Sequence, residues 1–317
     1  IHPQSRKLHQ HRCIPHTAQT QAQAFSAMNR HLPIQITTDQ KKQFARDGVV
    51  CLRGLFDDDW ITLLTAGLER NLVDPGERSR IWDRTDNNRT VFYDSDNWRR
   101  IPQYQQFVYE SPCVSVATAL LNTDSVNFFF DAVFVRTPGV TFATPWHQDE
   151  PYWTAKGLDT VSIWMPLVPV SKKSALAFVP GSHLWPNHYR QQNFGELNPD
   201  QQPEVDTVHF TDEWEPFPDI DADRNGFGVT SWEMSPGDCV AFNGRIIHGG
   251  SGALPPERDL KVFNTQWLGD DVRVCFRSYG MDPDHTQKMH AAGLYHGDRL
   301  DDTVYPRLPA QQINPIS

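Results

Sequence analysis

At 317 residues the chain can bury a large core, and 29 basic against 39 acidic residues give it a net charge of −10. No basic run follows the spacing of a phosphate backbone, so nucleic acid is not expected as a partner. There is neither an apolar stretch of about 18 residues nor a charged-then-apolar leader, so no membrane span and no signal peptide are expected, and the reading is a cytoplasmic protein.

Residues 1–33 are polar, rich in Gln and His, and begin with Ile, which reads as a leader that is disordered or was appended for expression, with Met28 as a natural start. Their histidines (His2, His9, His11, His16) carry only a compositional metal signal and are set aside. Residues 34–317 are expected to form one domain. Thr37 and Gln40 offer a capping box for a helix through Phe44 that Gly48 would stop, before a strand Val49 to Leu52. A second helix is expected from Asp58 to Asn71, with Ile61, Leu64 and Leu68 on its packed face. The segment "RIWDRTDNNRTVFYDSDNWRRIPQY" is long, polar and aromatic, and is expected to form a lid that selects the substrate. From about residue 124 the chain turns to short β-rich runs broken by Pro and Gly with no βα alternation. This predicts a mainly β protein with N-terminal helices, a sandwich or barrel. Cys13, Cys51, Cys113, Cys239 and Cys275 are odd in number and lack CxxC spacing, so they are expected to be reduced thiols.

The chemistry centres on "TPWHQDEPYW". In a strand, residues two apart share a face, so His147 and Asp149 are expected to project together while Gln148 turns away. One imidazole and one carboxylate, joined by a second imidazole, form the facial triad of non-haem iron oxygenases. His248 in "NGRIIHGGSG" ends a hydrophobic strand and precedes glycines that let backbone approach closely. His183 in "PGSH" competes for the third place. "DADRNGFG" copies the first positions of a calcium loop, but Trp232 stands where the bidentate Glu is required, so a solvated turn is expected. No GxSxG, HExxH, GxGxxG or P-loop offers another chemistry.

Four segments in order, "FARDGVVCLRGLF", "PWHQDEPYW", "SIWMPLVPVSKKSALAFVPGSH" and "GDCVAFNGRIIHGGSG", resemble the phytanoyl-CoA dioxygenase family of Fe(II)/2-oxoglutarate oxygenases. The resemblance implies a double-stranded β-helix (jelly roll, cupin-like) with iron held by His147, Asp149 and His248. It also implies 2-oxoglutarate and O₂ as co-substrates, and hydroxylation of an unactivated C–H of a small molecule with release of succinate and CO₂. Because Asp149 keeps its carboxylate, hydroxylation is expected over halogenation. Trp164 and Ser251 match co-substrate positions of the family. The family's anchoring arginine falls on Leu260 here, so Arg258, two residues away on the same face, is expected to grip the far carboxylate, with Lys261 the rival on the other face. Tyr152, Trp153 and Arg136 are the expected substrate-lining residues. The alternative function is a non-catalytic metal- or ligand-binding jelly roll, which would release no succinate.

Overall fold

In the computed structural model the described residues are 35–82, 90–140, 144–192, 194, 214–250, 258–277 and 280–310. The leader at 1–33 lies outside them. The first helix, α1 (Thr38–Asp47), begins where the capping box predicts. The Thr37 hydroxyl accepts from Gln40 N (3.2 Å) and the Gln40 side chain accepts from Thr37 N (2.8 Å). Gly48 ends it in the left-handed region (φ 75°), its N–H donating to Phe44 O. A second constraint holds this glycine, because a Cβ built there would lie 2.5 Å from the His183 ring. Gly48→Ala is therefore expected to cost roughly 2–3 kcal/mol, from backbone strain plus overpacking. A chemical-denaturation midpoint equal to that of the wild type would refute this double constraint.

Strand β1 (Val49–Leu52) follows, then α2 (Asp58–Val73), capped by Asp57 and two residues longer than expected. Its buried face is Trp60, Leu63, Leu64, Gly67, Leu68 and Asn71, with Ile61 at the margin. The segment expected as a lid instead supplies β2 (Arg80–Trp82) and β3 (Val91–Ser95), and its last residues enter α3 (Pro102–Glu110). All five residues of β3 are buried, and the strand pairs with β4 (Ser125–Arg136). Tertiary pairing overrides the polar appearance of the stretch. Residues 83–89, at its centre, lie outside the described residues. Helix α4 (Cys113–Leu121) completes the helical layer.

The remaining strands are short. They are β5 (Ala155–Lys156), β6 (Thr160–Pro166), β7 (Leu176–Phe178), β8 (Thr230–Ser231), β9 (Cys239–Phe242), β10 (His248–Gly250), β11 (Leu260–Leu268), β12 (Arg273–Val274) and β13 (Arg307–Pro309). A large antiparallel sheet runs β1-β9-β6-β11-β4-β3-β2, with β13 also on β4. A small sheet runs β10-β7-β8. Alternation divides the large sheet into two faces. One carries Val50, Val133, Val135, Ile163, Met165 and Phe263, packed under the helices with Trp60, Tyr104 and Phe107. The other carries Val49, Trp164, Val240, Phe242, Leu260 and Val262, and meets Phe178 of the small sheet. The two sheets thus enclose an apolar interior as a double-stranded β-helix, as expected.

Past β12 the chain forms α5 (Thr286–Ala291) and packs on the side of the barrel. His285, 1% exposed, fastens it. Its Nε2 lies 3.1 Å from the Asp96 carboxylate and its Nδ1 2.9 Å from the Tyr305 hydroxyl. A carboxylate only accepts, so Nε2 carries the hydrogen and Nδ1 accepts from Tyr305.

Candidate metal centre

His147 and His248 are brought together by the backbone. Each N–H donates to the other's carbonyl at 2.9 Å, an isolated antiparallel bridge that puts the imidazole centroids 4.1 Å apart. Gly249 makes this possible, since a Cβ there would lie 3.1 Å from Thr144 O and 3.2 Å from Pro145 O. The glycines after the distal histidine therefore admit the "TPWH" backbone, where the sequence suggested a ligand.

Asp149 joins the histidines by a different route from the one expected. It has helical dihedrals (φ −75°, ψ −43°) and precedes a short 3₁₀ turn, Glu150–Tyr152, so a turn and not strand alternation swings its carboxylate back. Oδ1 then lies 3.4 Å from His147 Nε2 and 3.5 Å from His248 Nε2, while the Ser162 hydroxyl donates to Oδ2 at 3.4 Å. One ligand atom from each of the three residues falls within 4.8 Å of the others, the one such group among the described residues. Gln148 turns away, as expected, and donates to Arg245 O at 2.6 Å.

The three side chains suit a divalent metal. His147 Nδ1 faces Pro145 O at 2.8 Å and His248 Nδ1 faces Ile246 O at 3.1 Å. A carbonyl only accepts, so both Nδ1 atoms carry hydrogens and both Nε2 atoms point at the shared space. Burial, helped by the neighbouring His147, pushes His248 down to about 4, so it is neutral at physiological pH. Burial alone would raise Asp149, but the two imidazoles outweigh it and the carboxyl sits below its ordinary value. Two imidazoles and a carboxylate are a donor set for iron that leaves positions open.

The surroundings rigidify this group. Phe178 stacks on His248 (5.8 Å, 19°) and Phe242 packs beside it, while Phe194 sits edge-on to His147 at 4.7 Å. Ser182 of "PGSH" donates to Val179 O and accepts from Ile247 N, fixing the residue before His248. His183 faces away, buried against Gly48 at the end of α1, and is not part of the group. Behind the Asp149 turn, Glu150 and Arg277 form an ion pair whose side chains are 4% and 8% exposed. Arg277 also donates to the carbonyls of Glu150 and Trp153. Neither Phe194 nor this pair is expected from the sequence, because nothing local marks a partner 127 residues away.

The other expected residues are placed as follows. Tyr152 accepts from Gln192 N (2.6 Å), donates to Gln192 O (3.0 Å), and turns its ring to Phe194 and His147. Trp153 is a core residue, 2% exposed against Phe129 and Phe130, and a Cβ on Gly244 would meet its ring at 2.5 Å. Trp164 is buried on the interior face, opposite Asn264 of β11. Arg258 is exposed just ahead of β11, and Lys261 is half-buried on the opposite face from Leu260. Arg136 is buried at the end of β4, directly across from Leu260. Ser251 lies outside the described residues. In the Asp-rich turn, Asp221 pairs with Arg224 and Asp223 accepts from Gly226 N, as a solvated turn does.

A double-stranded β-helix with two histidines and an aspartate gathered on its interior defines a jelly-roll protein built for a metal. The profile of the family described as "Phytanoyl-CoA dioxygenase (PhyH)" matches residues 44–254, more than half of the sequence, and the chain belongs to that family. No curated protein sequence matches it. Among solved structures it is similar to the non-heme alpha ketoglutarate dependent carbocyclase SnoK from nogalamycin biosynthesis (18% identity, 86% of this chain and 97% of that one, TM-score 0.63). It is likewise similar to the epimerase SnoN of the same biosynthesis (18%, 86% and 95%, TM-score 0.61). EctD from S. alaskensis, solved with 2-oxoglutarate and 5-hydroxyectoine, aligns at 15% identity over 84% of this chain and 86% of its own, TM-score 0.58. At these identities the likeness is one of fold. No helix among the described residues is long and apolar enough to cross a membrane.

Proposed function

We propose that the protein is an Fe(II)/2-oxoglutarate-dependent dioxygenase that hydroxylates an unactivated C–H of a small organic molecule. The observation that carries this reading is the convergence of two imidazole Nε2 atoms and one carboxylate oxygen on a single point, in a member of this family. When bound, iron, 2-oxoglutarate and O₂ supply the oxidation, with succinate and CO₂ released. The chain's own residues orient and exclude water. Ser162 holds the second oxygen of Asp149, Phe178 and Phe242 wall the His248 side, and Tyr152 with Phe194 covers His147. The fold hosts more than one outcome, since the solved relatives include a carbocyclase and an epimerase. Support for hydroxylation over halogenation comes from Asp149, whose carboxylate fills the place a halide would need. Trp164 would line the co-substrate, Ser251 matches a family position just after the distal histidine, and the family's arginine falls on Leu260, two residues beyond Arg258.

The test is anaerobic addition of 2-oxoglutarate to the Fe(II)-loaded protein, followed by O₂ and assay of succinate. A weak visible charge-transfer band and stoichiometric succinate are expected. Metal binding with no band and no succinate would leave a metal-binding jelly roll instead.

A further inference from the structure

A dicarboxylate seated inside this barrel brings a second negative charge away from the metal, and burying that charge without a cation is costly. The described residues offer a cation at one interior position. Arg136 is the most buried Lys or Arg among them, at 7% exposure. Strand alternation puts it on the same face as Phe134 and Ala132, and β11 carries Leu260, Val262, Asn264 and Gln266 on that face. The pairs Gln266–Ser162 and Asn264–Trp164 on β6 connect this line to the metal group, because Ser162 donates to Asp149.

Two further features mark the line as the lining of a polar ligand. Asn264 and Gln266 are 5% and 3% exposed, and among the described residues Asn264 Oδ1 and Gln266 Oε1 have no hydrogen-bond partner. Buried carboxamides are ordinarily satisfied, so two open acceptor oxygens on one interior face mark room for a polar group that donates to them; a carboxylate only accepts, so its own partner on this line is the Arg136 guanidinium. The second feature is a register. Where the family pattern has its arginine, this chain has Leu260, and Arg136 is the direct cross-strand partner of Leu260. Side chains so paired start only about 4.5–5.5 Å apart, so a guanidinium from β4 can occupy the space of one from β11. Arg258, by contrast, is exposed.

Resting on the 2-oxoglutarate reading, we infer that Arg136 holds the far carboxylate of the co-substrate, the anchor having moved across one strand pair from β11 to β4. A planar guanidinium pairs with a carboxylate through two parallel N–H donors, which gives the grip its direction.

The experiment compares two 2-oxo acids by the same anaerobic Fe(II) titration. The first is 2-oxoglutarate; the second is 2-oxopentanoate, which can chelate the metal identically but ends in a methyl group. In Arg136→Gln, binding of 2-oxoglutarate is expected to weaken about 30- to 100-fold, the loss of charge-assisted hydrogen bonds, with 2-oxopentanoate held within about threefold. Arg136→Lys keeps the charge and loses the fork, so it should fall between wild type and Gln, and it serves if the Gln variant does not fold. Arg258→Ala should bind both acids as the wild type does. Selective loss in Arg258→Ala with Arg136→Gln unaffected would overturn the inference and restore the β11 anchor. Equal weakening of both acids in Arg136→Gln would also overturn it, by showing a role in packing alone. Absence of a band in the wild type with either acid would instead remove the 2-oxoglutarate reading on which the inference rests.

Discussion

Replacing His248 by alanine is expected to abolish the Fe(II)/2-oxoglutarate band and succinate release together, whereas His183→Ala leaves both in place. The two histidines are similarly buried and both are candidates by sequence, so the pair separates geometry from composition. His248 presents a bare Nε2 to the shared space with Asp149 and His147, while His183 packs on the C-terminal end of α1. Losing a supporting partner of a metal ligand costs roughly 10–100-fold in affinity, so losing the ligand itself should exceed that range. Alanine also leaves a cavity between Phe178 and Phe242, which is why a second readout is needed. Ferrous ion at 100 times its dissociation constant stabilises a folded protein by about 2.7 kcal/mol, and this gain should appear in wild type and His183→Ala but vanish in His248→Ala. If His248→Ala keeps the metal-dependent stabilisation, the triad is wrong.

What can be read from the sequence and what cannot divides along chain separation. The capping box at Thr37, the glycine stop at Gly48 and the α2 periodicity involve partners within about a turn or two, and each matches its element. The His147–Asp149 spacing is legible too, although strand alternation is not what makes it work. A strand would have served, but a 3₁₀ turn brings the carboxylate round, and nothing in "HQDEPY" distinguishes the two without Arg277 to hold it. The expected lid shows the same limit from the other side. Val91–Ser95 is buried only because β4 lies beside it, and a register between distant strands is not visible in either one alone. The same holds for Arg136. As a lone strand-end charge it suits surface or site equally, and only its pairing with Leu260 puts it on the interior face.

Glu150→Gln is expected to destabilise the protein and to loosen the metal, and the two effects can be separated. Breaking a buried ion pair by neutralising one member strands the other charge, at a cost of roughly 3–5 kcal/mol. Arg277→Ala should cost a similar amount, with the added loss of its bonds to Glu150 O and Trp153 O. Replacing both charges by apolar residues of like volume, Glu150→Leu with Arg277→Met, removes the stranded charge and should recover most of the stability. It does not rebuild the two backbone bonds that close the turn behind Asp149. Gln191 still holds the turn from Pro151 O, so Asp149 stays nearby but less well aimed. Ferrous affinity in the double variant should therefore remain about 10-fold weaker than in wild type, the lower end of what supporting partners contribute. A double variant that regains stability and metal affinity in parallel would show that the pair serves folding only. Stability without affinity would show that Arg277, far from Asp149 in sequence, sets the aim of the carboxylate.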